Sequence, residues 1–170
     1  GVLSSTLFGG VSGSAVADAS AIGSLLIPWH KRLGYPAAFS AATLAAAATI
    51  DIIIPPSIPM ILFGVSAEVS IGELFIAGVG PGLLIGGVLM LFVHLWCRYK
   101  GWGKEDGDGR LSVGTATAKA GWALLMPVII LGGIYGGIFT PTEASAVAVF
   151  YALLVGMVVH REIRLKDLVL

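Results

Sequence analysis

Between Glu73 and Arg98 the chain carries no Asp, Glu, Lys or Arg. A helix that crosses the hydrocarbon core of a bilayer needs roughly 20 mostly apolar residues. The stretch from about Ile71 to Trp96 therefore predicts a membrane-spanning helix. The rest of the composition agrees: 56% of residues are hydrophobic, only 12% are charged and the mean hydropathy is +0.94. Soluble domains carry about a quarter charged residues, so the solvent of this chain is a bilayer. Net charge is zero, which excludes the basic field of a nucleic-acid-binding protein. The single Cys97 excludes an intrachain disulfide and a cysteine-based metal site.

Three further apolar runs follow the same logic. One extends from about Gly121 to Phe139, and a shorter one from about Ala144 to Val159. Another runs from about Ala37 to Phe63 but is interrupted by Asp51 and Pro55-Pro56. The opening stretch, about Val2 to Pro28, carries Gly9-Gly10, Ser12-Gly13-Ser14 and Asp18 in its middle. It reads as two half-length helices meeting at a bend, a re-entrant hairpin. The expected fold is all-α and polytopic, with a hairpin over 2–28, a broken helix over 37–63, a spanning helix and polar connector over 64–120, and a further helical part over 121–170. The chain starts Gly1-Val2-Leu3 and ends in the mixed-charge stretch Arg161 to Leu170, so it is read as an internal piece of a longer protein.

Loop charges orient these spans, because cytoplasmic loops are enriched in Lys and Arg. His30, Lys31 and Arg32 form one basic loop. Arg98, Lys100, Lys104, Arg110 and Lys119 form the next, and Arg161, Arg164 and Lys166 follow the last span. The connections Gly64 to Glu73 and Thr140 to Glu143 contain no Lys or Arg. Basic and non-basic loops thus alternate as four crossings require. Trp29, Trp96, Trp102 and Trp122 all fall beside basic loops, where indole rings favour the headgroup level.

The run Gly9 to Asp18 places hydroxyls and glycines in an otherwise apolar segment. Irregular backbone at membrane depth persists only where protein or a watery cavity satisfies it, and half-helix ends supply matching partial charges. An ion or carboxylate site at this tip is one reading. The other is that Ser12 or Ser14 caps the following helix while Gly13, Ala17 and Ala21 form a small-residue packing face.

At Thr49 to Pro59, two consecutive prolines break the span, since each lacks an N–H and clashes with the preceding turn. Freed carbonyls before Pro55 and the Ser57 hydroxyl become candidate oxygen ligands. Asp51 must face the protein interior or a cavity, either contributing charge to a site or serving as a backbone-bonded carboxylate that closes the break. Thr140-Pro141-Thr142-Glu143 reads as a capping box restarting a helix. His30, His94 and His160 lie near helix ends and share no metal-ligand spacing.

The run Phe8 to Asp18, the sequence Ile54-Pro55-Pro56-Ser57-Ile58-Pro59 and the stretch Pro127 to Ala144 together resemble the large membrane subunit of TRAP (tripartite ATP-independent periplasmic) transporters, the DctM-like family. The resemblance covers essentially the whole chain. It implies a sodium-coupled secondary transporter with inverted repeats, working as an elevator in the bacterial or archaeal inner membrane. A periplasmic solute-binding protein would deliver a small organic solute, mostly a carboxylate, and a small membrane subunit would accompany the chain. No cofactor is implied beyond sodium as coupling ion. By the same resemblance Ser12, Gly13, Ser14, Asp18, Asp51, Pro55, Pro56 and Ser57 line the ion and substrate region, with Ser12, Ser14 and Ser57 as candidate sodium contacts. Residues from 121 onward open the second repeat. Where many relatives carry Gly-Pro ahead of the Ile-Ile-Pro-Pro run, this chain has Asp51-Ile52.

Two other functions use the same residues. Gly10-Val11-Ser12-Gly13 matches the Gly-x-Ser-Gly pattern of intramembrane serine proteases, but that chemistry needs a histidine within hydrogen-bond reach of the serine, and none lies mid-span. A passive channel or scaffold subunit would show no saturable, sodium-dependent uptake.

The charge pattern generates a topology prediction. Lys31, the Arg98 to Lys119 connector and Arg161 face the cytoplasm, while Gly64 to Glu73 faces the periplasm. Cysteines introduced at Glu68 and Asp106 of the full-length protein should label from opposite sides of intact cells; labelling of both from one side contradicts the arrangement.

Overall fold

The computed structural model describes residues 1–103 and 113–159, with side chains in the second stretch from Gly121 onward. The basic positions Lys104, Arg110, Lys119, Arg161, Arg164 and Lys166, together with Asp106 and His160, lie outside the described side chains. All regular structure among the described residues is helical, and the chain divides into two compact units, Gly1–Arg110 and Leu111–Leu170.

In the first unit, α1 (Val2–Ser12) stops at Gly13, whose left-handed backbone (φ 61°) returns its N–H to the Gly9 carbonyl. A residue with a Cβ enters that region only at a cost, so glycine is the usual helix terminator. Ser14 then adopts an extended conformation and its side chain accepts from the Ala17 N–H, starting α2 (Ala15–Arg32). His30, Lys31 and Arg32 occupy the last turn of α2, where positive charge complements the helix dipole. The opening stretch is thus a helix–turn–helix hairpin bent at the glycine and serines.

Alanine-rich α3 (Ala37–Ala48) has high intrinsic helix propensity. It tightens into a 3₁₀ turn at Thr49–Ile52 and gives way to irregular backbone through Pro55-Pro56, a cis peptide. Helix resumes as α4 (Ile58–Ala67) once Ser57 caps it. The run expected to break at the prolines does so. Its second half continues past the expected Phe63 to Ala67, and the chain turns at Glu68 in the left-handed region (φ 55°). Gly64 permits this close turn, since a Cβ there would lie 2.7 Å from Ile71 Cγ1.

The helix α5 (Ile71–Lys100), capped by Ser70, spans 30 residues, about 45 Å at 1.5 Å per residue. Its glycines at 78, 82 and 86 recur every fourth residue and so share a face. That face receives the broken segment: a Cβ on Gly78 would lie 2.3 Å from the Ile53 carbonyl oxygen, and one on Gly82 would lie 2.4 Å from Ile54 Cγ1. Leu44, Ala47, Ala48, Ile50 and Phe75 are buried around this contact. The opposite surface of α5 exposes Leu83, Leu84, Val88, Leu91 and Leu95, an apolar display that water does not tolerate at this extent.

In the second unit α6 (Val113–Tyr135) ends in a turn through Gly137 (φ 65°), with the Ile138 N–H on the Gly133 carbonyl at 2.9 Å. The capping box expected at Thr140 and Glu143 is formed in full and starts α7 (Pro141–Leu154), which passes into a π-helical stretch, Val155–Val159. The Tyr151 hydroxyl donates to the Trp122 carbonyl at 2.6 Å, tying α7 to α6. Two helices among the described residues, Ile71–Lys100 and Pro141–Val159, are long and apolar enough to cross a membrane.

The glycine face of α5 predicts a contrast. Gly78→Ala forces a methyl onto the Ile53 carbonyl and should destabilise the full-length protein by about 1–3 kcal/mol, the range for overpacking. Gly80, with nothing within 4 Å of its Cβ position, should tolerate alanine without loss. Thermal unfolding of the two variants in detergent measures the difference.

Candidate functional site

The hairpin tip and the break, separated by more than forty residues, meet. The Gly13 carbonyl accepts from the Ile58 N–H at 3.4 Å, and a Cβ on Gly13 would lie 2.7 Å from the Pro56 carbonyl oxygen. Gly13, Pro55 and Ser57 are buried, and Ser12, Ser14 and Pro56 are half-buried. The Ser57 hydroxyl donates to the Ile52 carbonyl at 2.8 Å and accepts from the Met60 N–H at 3.4 Å. It thus satisfies one freed carbonyl and one orphan helix N–H together. The Ser12 Oγ accepts from the Ser14 N–H at 3.3 Å. Of the two expectations for the tip hydroxyls, capping is the one the structure shows: Ser14 caps α2 and Ser57 caps α4. Of the anticipated small-residue face, Gly13 is buried and Ala17 is exposed.

Below the tip lies a second polar layer. Asp18 in the first turn of α2 is 0% exposed and Asp51 in the 3₁₀ turn is 1% exposed. Ser5 of α1, also fully buried, donates its hydroxyl to Asp18 Oδ2. Asp18 Oδ1 and both oxygens of Asp51 have no hydrogen-bond partner among the described residues. Asp51 thus faces the protein interior, as a carboxylate in this position must, but it does not cap the backbone of the break. Gly9 makes the room: a Cβ there would fall 1.8 Å from Asp51 Oδ1.

Ser5 and Gly9 escape motif reading because their roles arise from contacts across the fold. The trace they leave in sequence is spacing: Ser5, Gly9 and Gly13 recur every fourth residue and lie on one side of α1 and its cap. The Thr140–Glu143 motif belongs to the second unit. The described histidines stand far from Ser12. His30 is at the other end of α2, 16 residues and so about 24 Å from Ser14, and His94 lines a cavity beside Val2 and Leu3 at the start of α1. No imidazole among them can act as base for Ser12.

A broken helix seated against a hairpin, with caps and carbonyls converging, is the arrangement by which helical membrane proteins hold ions and solutes at depth. Residues 1–169 match the profile of the tripartite ATP-independent periplasmic transporter, DctM component. The chain belongs to the DctM family. The isethionate TRAP transporter permease protein DctMQ of Oleidesulfovibrio alaskensis is 51% identical over 92% of this chain and 25% of its own length. The C4-dicarboxylate TRAP transporter large permease protein DctM of Pseudomonas aeruginosa is 46% identical over 98% of the chain and 39% of its own length. The ectoine TRAP transporter large permease protein TeaC of Halomonas elongata is 43% identical over 97% of the chain and 39% of its length. The chain therefore spans between a quarter and two fifths of these curated relatives, all permease subunits of membrane transport systems.

Gly13 at the contact gives a direct test. Gly13→Ala combines a left-handed backbone penalty of about 1–2 kcal/mol with a collision against the Pro56 carbonyl. It should lower the melting temperature of the full-length DctM protein more than Gly10→Ala, whose Cβ position is open. Equal shifts would mean that tip and break do not touch.

Proposed function

We propose that this chain forms the first-repeat half of the transport site of a sodium-coupled TRAP permease, with residues 1–63 as part of its transport domain. The remaining residues would be the spanning helix and connector over 64–120 and the opening of an inverted second repeat from residue 121. The observation that supports this most is the seating of Gly13 on the Pro56–Ile58 backbone. It joins a hairpin turn to a helix break where a watery site at membrane depth would need them, with the hairpin re-entering the membrane from one side. Hard cations take oxygen ligands, and Ser12, Ser14, Ser57 and the carbonyls beside Pro55 and Pro56 are such oxygens.

The relatives are named for isethionate, C4-dicarboxylates, 2,3-diketo-L-gulonate and ectoine. These differ in size and skeleton, yet each carries a carboxylate or sulfonate group. A small organic anion or zwitterion is the solute class that follows. The positive end of α2 at Ser14 and that of α4 at Ser57 would meet its negative group. A small membrane subunit and a periplasmic binding protein complete the system in this reading, with the permease in the inner membrane and domain movement of elevator type.

The test is uptake by the intact transporter reconstituted with its partners. Alanine at Ser12, Ser14 and Ser57 should raise the sodium concentration for half-maximal uptake several-fold at unchanged membrane insertion. Unaltered sodium dependence in all three variants would remove these serines from the site, and non-saturating uptake independent of a sodium gradient would favour a passive channel.

A further inference from the structure

We propose that the cleft between α3 and α5 at the basic end of the first unit binds an anionic phospholipid, with one acyl chain in the cleft and the phosphate held at Lys100. The two helices touch at two levels. Near the basic end the Phe39 and Trp102 rings lie 5.2 Å apart between centres, and deeper in the span Ile50 Cδ1 lies 3.7 Å from the Cβ position of Gly86. Between those contacts the helices part and leave a cleft of about 330 Å³. From α3 it is lined by Phe39, Ala42, Thr43 and Ala46, and from α5 by Leu89, Phe92, Val93 and Trp96. Each set follows the three-and-four spacing of one helix face, so the cleft runs along the helix axes for about 10 Å at 1.5 Å per residue.

Its chemistry restricts the occupant. Only Thr43 and the Trp96 indole bring polar side-chain atoms to the lining, and water is retained in a cavity only by several polar partners. An apolar gap open to lipid is filled by hydrocarbon, which regains the dispersion contacts that a void forfeits. The small side chains of Ala42 and Ala46 give the cleft its depth, and Phe92 and Trp96, 54% and 40% exposed, form its wall on the α5 side. The outer end lies at headgroup level, since Trp96 is about one turn from Lys100, the last residue of α5.

Charge selects the lipid. Lys100 follows Val93 and Trp96 by seven and four residues and so shares their face, and its ammonium sits 5.6 Å from the Trp96 ring centre. The Gly103 N–H donates to the Leu33 carbonyl at 3.3 Å, which brings the end of α2, with Lys31 and Arg32, beside the end of α5. Residues 29–36 and 96–103, the described residues of this end, hold Lys31, Arg32, Arg98 and Lys100, all exposed, and no Asp or Glu. Basic sites beside clefts between spanning helices are where anionic headgroups are held. A zwitterionic lipid fills the cleft equally well but brings Lys100 no net charge to pair with. The seated chain bridges the first half of the broken helix to α5 where the two part, whatever ion couples transport.

The experiment places the full-length permease with its small subunit in phosphatidylcholine nanodiscs carrying phosphatidylglycerol with a photoactivatable diazirine midway along one acyl chain. Mass-spectrometric mapping should find the label on residues 39–46 and 89–96. Labelling there should saturate as the mole fraction of this probe rises, whereas the same diazirine on phosphatidylcholine should label weakly and in proportion to its amount. Lys100→Gln should raise the phosphatidylglycerol fraction for half-maximal labelling about fivefold, the effect of one basic side chain at an anionic headgroup. Ala42→Leu, at an exposed position, fills the cleft and should remove label from both segments while labelling elsewhere on α5 persists. Melting temperatures close to wild type establish that both variants are folded.

Absence of label from the cleft in folded wild-type protein would show that another part of the permease or the small subunit covers it, and would overturn the proposal. Equal, unsaturated labelling by the two probes would mark ordinary bilayer contact and overturn it as well. An unchanged half-maximal fraction in Lys100→Gln would do the same.

Discussion

The helix break at Pro55-Pro56 is the constraint on which the first unit is built. Two prolines in an apolar run remove N–H donors and strand carbonyls, and each unsatisfied backbone group in hydrocarbon costs several kcal/mol. The fold answers locally first: the Ile53 and Ile54 N–H groups both return to the Ile50 carbonyl, and the Ser57 hydroxyl takes the Ile52 carbonyl. What remains is answered from outside the segment. The Gly13 carbonyl takes the Ile58 N–H, and the glycine face of α5 lets the Ile53 backbone approach without a side chain between. The hairpin and α5 are therefore part of what makes the break affordable at all.

The same arrangement sorts polar groups into two layers of different chemistry. At the tip they are neutral hydroxyls and carbonyls, engaged as caps. Beneath them are two carboxyl groups with few donors. Glycine at position 9 is what allows the lower layer to exist, because any side chain there would occupy the Asp51 carboxyl. An aspartate at 51 and a glycine at 9 are one steric solution, not two independent choices.

Much of this was legible in the sequence, and the reasons are physical. Charge-free length announces α5, a proline pair announces a break wherever it falls, and glycine with serines in an apolar segment announces a turn whose backbone must be satisfied. The Thr140–Glu143 cap was readable because capping is local, complete within four residues. What was not readable depends on register between distant elements. Ser5 meets Asp18 thirteen residues away and Gly78 meets Ile53 across a helix and a loop; neither pairing leaves a local pattern. The end of α4 likewise depends on a contact outside the segment: Gly64 packs against Ile71, and the turn comes at Glu68, past the expected Phe63.

The dimensions of α5 bind these observations to a bilayer. From Glu73 to Arg98 is 25 residues, about 37 Å of helix at 1.5 Å each, slightly more than the roughly 30 Å hydrocarbon core and so accommodated with some tilt. The charged end is built as an interfacial anchor: the Lys100 ammonium sits 5.6 Å from the Trp96 ring centre and 5.5 Å from that of Tyr99. Amphipathic aromatic rings and a snorkelling lysine favour that depth. Between the helix ends one face carries glycines that receive the broken segment, and the other carries leucines that no described residue of the first unit covers. A helix in water would have to bury that second face in its own domain. In a membrane it can remain exposed, which frees the glycine face to be shaped entirely by the break it supports.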